Sequence, residues 1–198
     1  MGPLFAPERH DAGDFVLRSY EEGDGAALLS ANLESYEHLR PWMPWATQDQ
    51  TVDDAEILVR RFRGKYLLNE DFVVGAFSAD GRRLLAGTGF HLREGPLAKG
   101  CAEIGMFVRA SEAGRGLGTR VLSAMLRWGF TEWPWQRLSW RCDNRNAASM
   151  RVAQKCGLQL AVATRGQGGE ATSGRRDTAC FALTRSDWQA TSLPKPAS

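Results

Sequence analysis

Three glycines in five positions, Gly114, Gly116 and Gly118, stand directly before an amphipathic run in the stretch RASEAGRGLGTRVLSAML at 109–126. Glycine costs roughly 1 kcal/mol against alanine inside a helix. This placement therefore predicts positions where a side chain would collide with a neighbour or a ligand. Leu117, Val121, Leu122, Met125, Trp128 and Gly129 share one face at helical spacing. A bare loop feeding a helix N-terminus presents unpaired N–H groups and the positive end of the helix dipole, which suits an anion such as a phosphate.

Around that loop the chain reads as a series of short elements. FVLRSY at 15–20 is a strand pattern, and Asp24 precedes a helical run through Leu28, Leu29, Leu33 and Tyr36. LRPWMPWAT, with two prolines, ends that helix. Thr51-Val52-Asp53-Asp54 predicts a capped start for a second helix carrying Ala55, Leu58, Val59, Phe62 and Tyr66. Strands are predicted at 71–78, 84–92 and 101–109, with Asp80-Gly81 as a hairpin turn and Gly95-Pro96 as the next break. A strand at 136–142 and a helix from Asn146 to Cys156, closed by Gly157, come after the glycine loop. Strands at 158–164 and 177–184 finish the pattern, separated by a glycine-rich polar segment. The order implies an α+β fold, a mixed and mostly antiparallel central sheet of about seven strands with helices on both faces. One domain is expected over 14–188, with 1–13 and 189–198 as flexible termini.

Composition narrows the function classes. The first residues lack the apolar core of a secretory leader, Ala6 breaks the myristoylation pattern, and runs such as FVVGAF are too short to span a bilayer. Cys101, Cys142, Cys156 and Cys180 form no C-x-x-C pair, so free thiols in a reducing cytoplasm are expected and no metal site is. The net charge of +2 hides a separation: from Asp11 to Glu56 eleven acids face only Arg18 and Arg40, whereas from Arg109 to Lys155 nine bases face Glu112, Glu132 and Asp143. Such a split fits one anionic and one cationic ligand as well as it fits solvated surfaces. The basic half has a helical core pattern rather than a polybasic tail, which disfavours nucleic acid.

The loop fits neither common nucleotide motif. A dinucleotide fingerprint needs G-x-G-x-x-G in the first β-α unit, but here the spacing is G-x-G-x-G after four strands. A P-loop needs GK[ST], which is missing. The stretch resembles instead the acyl-CoA pyrophosphate loop of the GNAT acetyltransferase superfamily, closest to the Rim-type (RimJ/RimL) N-terminal acetyltransferases. LRPWMPW at 39–45, AEIG at 102–105, Asn146-Ala147-Ala148-Ser149 leading to Lys155-Cys156-Gly157-Leu158, and Asp177 through Phe181 to Asp187-Trp188 carry the same resemblance in order.

The resemblance implies acetyl-CoA as cosubstrate and a primary amine as acceptor, most simply the N-terminal amine of a protein of ribosomal type. It implies no metal, no nucleic acid and no membrane, a cytoplasmic protein, and room for a homodimer. Met106, Phe107, Val108 and the loop Ala113, Gly114, Arg115, Gly116, Leu117, Gly118 and Thr119 would bind the cofactor, with Asn146 on the pantetheine amide and Ser149 near the sulfur. Ala113 and Phe181 depart from the family, which carries larger or charged residues at the first position and often tyrosine at the second. Backbone N–H groups from Gly114 to Thr119 would then do the holding, with Arg115 and Arg120 nearby.

Amine acetylation needs a proton acceptor, oxyanion donors and a group for the leaving thiolate. Glu103 is the candidate base, directly or through water, and alternation puts Glu103, Gly105 and Phe107 on one face. A strand-end carboxylate at Glu103 is the alternative. Gly105 suggests a bulge or a close ligand approach. Ser149 is the candidate thiolate donor, and helix capping is an equal reading for Asn146 and Ser149. His38 is a rival base, His91 reads as a packed or edge residue, and Tyr36, Trp42 and Trp45 would wall the acceptor site. The acidic excess on the first two helices would draw a cationic acceptor. A small-amine (antibiotic or polyamine) acetyltransferase and a non-catalytic acyl-CoA sensor remain the competing functions.

Overall fold

The computed structural model describes residues 4–164 and 177–192. Eight strands form one sheet: β1 (Arg9–Asp11), β2 (Phe15–Ser19), β3 (Phe72–Ser78), β4 (Leu84–His91), β5 (Cys101–Val108), β6 (Arg137–Asp143), β7 (Gln159–Thr164) and β8 (Thr178–Thr184). Five helices accompany it: α1 (Gly25–Leu39), α2 (Val52–Leu67), α3 (Leu117–Thr131), α4 (Ala147–Lys155) and α5 (Arg185–Ser192). The spatial order is β1-β2-β3-β4-β5-β6-β8-β7. Only β5 and β6 run parallel, and every other pair is antiparallel. The mixed α+β sheet with helices on both faces is the expected one, with a strand and a helix beyond the expected set.

The extra strand is β1, whose Arg-His-Asp has no apolar alternation to reveal it. Its pairing with β2 corrects the expectation of a flexible 1–13 segment. Leu4 and Ala6 pack on the core, Tyr66 Oη donates to Pro7 O at 2.5 Å, and Asn69 Nδ2 donates to Leu4 O at 3.0 Å. At the other end α5 runs past 188 to Ser192, and Trp188 lies against Phe130 at 5.6 Å between ring centroids. The expected flexible tail beyond 192 and the glycine-rich 165–176 lie outside the described residues.

Two apolar layers follow from strand alternation. On one face Phe72, Val74, Phe90, Ala102, Ile104, Leu138, Trp140 and Phe181 meet the inward stripe of α3 and Ala153 of α4. Trp133, after α3, has the rings of Phe72, Phe90, Trp128 and Trp135 around it at 4.8–5.8 Å, in the tilted, edge-on and stacked arrangements that aromatic pairs prefer. On the opposite face Val16, Phe77 and Leu84 meet Leu28 and Ala31 of α1 and Val59 of α2. The capping box is present: Thr51 Oγ1 accepts from Asp54 N at 3.1 Å, and Asp54 Oδ2 accepts from Thr51 N at 3.0 Å.

Arg185 joins the last strand to the aromatic core. Its guanidinium donates to the carbonyls of Phe130 (2.6 Å), Trp133 (2.7 Å) and Trp135 (2.7 and 2.9 Å). These are carbonyls at the end of α3 and in the turn behind it, where the helix supplies no partner. Arg185→Ala should lower unfolding free energy by about 2–3 kcal/mol, since charged hydrogen bonds to part-buried carbonyls are lost together. Urea denaturation of the two proteins checks this.

Candidate active site

The registered pairs between β5 and β6 are Cys101 with Arg137, Ala102 with Leu138 and Glu103 with Ser139, and there the ladder stops. Both strands continue, β5 paired with β4 as far as Val108 and β6 paired with β8 as far as Asp143. The edges of 104–108 and 140–143 that face each other therefore diverge without strand partners among the described residues. A buried backbone group without a partner is costly, so such an opening requires water or a ligand. The register of β5 on β4 is unbroken through Gly105, which corrects the expected bulge. Strand divergence, not a bulge, frees the backbone at Met106, Phe107 and Val108.

The glycine loop closes the top of this opening. Gly114 and Gly116 adopt φ of 75° and 78°, and nothing lies within 4 Å of a Cβ built on either. No protein neighbour accounts for these two glycines: they serve the left-handed backbone, which costs other residues roughly 1–2 kcal/mol, and they leave the loop surface bare. Gly118 has room for a methyl group, 3.5 Å from Val108 Cγ2 and 3.7 Å from both Met106 Cε and Val152 Cγ2. It marks where β5, α3 and α4 converge. Leu117 is buried and anchors the helix, whereas Gly114, Arg115 and Gly116 are exposed. The first ladder bond of α3 is Arg120 N to Gly116 O, so the N–H groups before it point out of the helix mouth. Ala113 leads into this mouth in extended conformation, and Thr119 O accepts from Cys156 Sγ at 3.4 Å, tying α3 to α4.

The second wall is the start of α4. Asn146 Oδ1 accepts from Ser149 N at 3.0 Å, the capping role that the spacing predicted. Ser149 Oγ accepts from Trp140 Nε1 at 3.0 Å, which fixes the hydroxyl beside β6. A hydroxyl that accepts one bond still has its own proton to give. Burial pushes the Cys142 thiol up, opposed by hydrogen bonding from Ser149 and Trp140.

On the opposite face of the diverging strands lies a charged cluster. Glu103 is 3% exposed; its Oε1 accepts from Arg93 and its Oε2 lies 3.2 Å from Arg141 Nε. Glu94 binds Arg137 and accepts from Ser139 Oγ at 2.5 Å. The carboxylates therefore lace β5 to β6 where their ladder ends. Next to Glu103 across the ladder is His91, whose Nδ1 lies 3.0 and 3.1 Å from the Asp71 oxygens. Gly105 and Phe107 continue the same face as alternation predicted. Phe107 lies over bare Gly87 and meets Trp45 edge-on at 5.7 Å. Trp45 is 52% exposed. Tyr36, half-buried near the end of α1, has the Arg40 guanidinium 6.0 Å over its ring, and Trp42 is half-buried in the turn after α1.

The remaining link is Arg109, at the end of β5. Its guanidinium binds Glu34 Oε2 (2.6 Å), Ser30 Oγ (2.7 Å) and Leu84 O (3.2 Å). Glu34 Oε1 also accepts from Ser111 N at 3.0 Å. The acids expected to form an anionic rim are largely engaged internally. Asp24 holds Arg18, Glu34 holds Arg109, Glu37 holds Arg40, Glu22 and Glu56 hold Arg60, and Asp54 caps α2. Sequence reasoning missed Arg93, Arg109 and Arg141, because a lone arginine on a strand or loop carries no local signal. The Asp71–His91 pair was readable only from the register that sets β3 beside β4.

Among the described residues no group of His, Cys, Asp and Glu could hold a metal, and no helix is long and apolar enough to cross a membrane. A family model described as "Acetyltransferase (GNAT) domain" matches residues 14–159. No curated protein sequence matches the chain. Among solved structures the fold is similar to RimL, titled a ribosomal L7/L12 α-N-protein acetyltransferase in complex with coenzyme A, at 17% identity and a TM-score of 0.79, covering 89% of this chain and 98% of that one. It is similar to a ribosomal-protein-S5-alanine acetyltransferase from Vibrio fischeri at 14% identity and TM-score 0.78, covering 92% and 99%. It is also similar to the microcin C7 self-immunity acetyltransferase MccE, in complex with acetyl-CoA and AMP, at 14% and 0.76, covering 87% and 93%.

The Glu34 carboxyl is pulled down to about 2, first by hydrogen bonding from Ser111 and then by Arg109, against the effect of burial. A depressed folded-state value means that the stabilisation is complete above the ordinary carboxylate range and is lost as pH falls toward 2. Glu34→Gln should therefore cost about 1 kcal/mol at neutral pH, after allowance for solvent screening. Its unfolding midpoint should converge on that of the unsubstituted protein between pH 5 and pH 2. Urea titrations across that range measure the gap.

Proposed function

Because the chain belongs to the acetyltransferase (GNAT) family, we propose that it transfers an acetyl group from acetyl-CoA to a primary amine, with the α-amine of a protein N-terminus as the acceptor. The observation that carries this reading is the divergence of β5 and β6 beneath a left-handed glycine loop. The opening supplies what acetyl-CoA requires: exposed N–H groups at a helix mouth for the pyrophosphate, a free strand edge for the pantetheine, and a hydroxyl on the wall. When bound, acetyl-CoA presents the acetyl group as a thioester.

In this reading the backbone from Gly114 to Thr119 holds the diphosphate, with Arg115 and Arg120 at its flank. Met106, Phe107 and Val108 offer the β5 edge, and the Asn146 amide serves pantetheine while its Oδ1 caps α4. Ser149 donates to the departing sulfur. Glu103, which both arginines occupy, contributes charge beside the reacting amine and reaches it through water. Trp45 and Phe107 wall the acceptor on the opposite face. An α-amine acceptor agrees with the ribosomal-protein acetyltransferases among the structural relatives. The four free thiols agree with a cytoplasmic setting.

Purified protein with acetyl-CoA should release CoA thiol in the presence of short peptides with a free N-terminus, and faster than with spermidine. Preference for spermidine would move the acceptor to small amines, and binding without thiol release would leave a sensor. Ser149→Ala should lower kcat by about 10- to 100-fold, the worth of one hydrogen bond to a charged atom. Calorimetry should show acetyl-CoA affinity little changed in that variant.

A further inference from the structure

The register of the sheet sets four side chains in one lateral row. Phe72 pairs with Phe90, so Asp71 and His91 are next in line; His91 pairs with Glu103, and Glu103 with Ser139. Lateral partners point to the same face, and here it is the acceptor face. The Asp71 carboxylate lies 3.0 and 3.1 Å from His91 Nδ1. A carboxylate accepts only, so Nδ1 carries a proton, and in the neutral ring Nε2 is the nitrogen with the lone pair.

The ring is aimed at a bare patch of backbone. A Cβ built on Gly105 would lie 3.0 Å from His91 Nε2 and 3.2 Å from Cδ2. Any larger residue at 105 would cover that nitrogen. The His91 side chain is 17% exposed, enough to meet a ligand. Glu103, by contrast, accepts from Arg93 at Oε1 and has Arg141 Nε 3.2 Å from Oε2, which accepts no hydrogen bond. Arginine does not surrender its proton in this range, so the carboxylate sits between two permanent cations.

Resting on the acetyl-transfer reading above, we propose that His91, oriented by Asp71, takes the proton from the acceptor ammonium, and that Glu103 is its charged neighbour rather than the base. The N–H proton passes to His91 Nε2 and frees the nitrogen lone pair. The new N–C bond forms at the acetyl carbon, the C–S bond breaks, and the thiolate takes the second amine proton. His91 returns its own proton to solvent, so one proton is released per acetyl group moved. Asp71 is the positioning residue. The groups facing His91 are Asp71 from the head of β3 and Glu103 from β5, with Arg93 and Arg141 beyond Glu103.

The test uses the full chain, acetyl-CoA and a free-N-terminus peptide, with kcat/KM followed across pH. His91→Gln should lower kcat/KM by about 10²–10³-fold, the span of a lost general base, and remove the acid limb of the profile. Acetyl-CoA affinity and melting temperature should stay near those of the unsubstituted protein. Asp71→Asn should lower kcat/KM by less than His91→Gln does, because the ring is kept but loses the carboxylate that orients it. Nitrogen chemical shifts should report the Nδ1–H tautomer of His91 in the unsubstituted protein and a mixture in Asp71→Asn. Gly105→Ala should mimic the loss at His91, whereas Glu103→Gln should keep the acid limb. A His91→Gln enzyme within threefold of normal, with its acid limb intact, overturns the assignment while acetyl transfer stands. Failure of the unsubstituted protein to acetylate any amine overturns both.

Discussion

The parting of β5 from β6 after Glu103 and Ser139 is the constraint on which the rest of the molecule depends. A sheet normally satisfies its backbone strand by strand, and here it stops doing so in its middle. The cost of unpaired backbone groups is tolerable only where water or a polar ligand can reach them. Elements on either side keep the opening from collapsing. Each diverging strand has its outer edge fully paired, to β4 on one side and β8 on the other. At the vertex, Glu94 and Glu103 with Arg93, Arg137, Arg141 and Ser139 bind the strands at the last shared register pair. The opening is thus a hinge pinned by charge at one end and held apart by helix starts at the other.

The opening also divides the chemistry between two faces. Met106, Val108, Gly118 and Val152 meet on the face that carries α3 and α4, the side of the glycine loop. Glu103, Gly105, Phe107 and His91 lie on the other, the side of α1 and α2. A ligand threading the strands would bring its reactive end from one environment into the other. Arg109 couples the two by fastening α1 to the end of β5, just before the loop. A single arginine with partners on a helix and a strand, its helix partner also holding Ser111 N, makes the loop's position depend on α1.

Much of this was legible in the sequence because periodicity and turn chemistry are local. The capping box at Thr51, the Asp80-Gly81 hairpin, the Asn146 cap and the shared face of Glu103, Gly105 and Phe107 each follow from a few neighbouring residues. What stayed hidden is long-range. β1 has only Arg-His-Asp and becomes a strand through its partner. The pairing of Glu103 with Arg93 and Arg141, or of His91 with Asp71, depends on which strands lie side by side, and spacing along the chain does not encode that. The glycine loop was legible from its spacing, whereas the left-handed backbone at Gly114 and Gly116, with no protein neighbour near either, appears only in the structure. The arginine partners of the acidic stretch stayed hidden for a related reason, since charge counted along a sequence does not show which arginine each acid will meet.

The place of β8 between β6 and β7 has a consequence for how the chain is made. Among the described strands an internal one is the last to be synthesised, and Arg185 just behind it closes the carbonyls of Phe130, Trp133 and Trp135. Until those residues emerge, β6 has an open edge and the tryptophan cluster lacks its clasp. From the synthesis of β6 until β8 follows at 178–184, the nascent chain must carry an exposed strand edge, the kind of surface that invites pairing between chains. Completion of the sheet, and with it the shape of the cleft between β5 and β6, therefore waits for β8 and for Arg185 behind it.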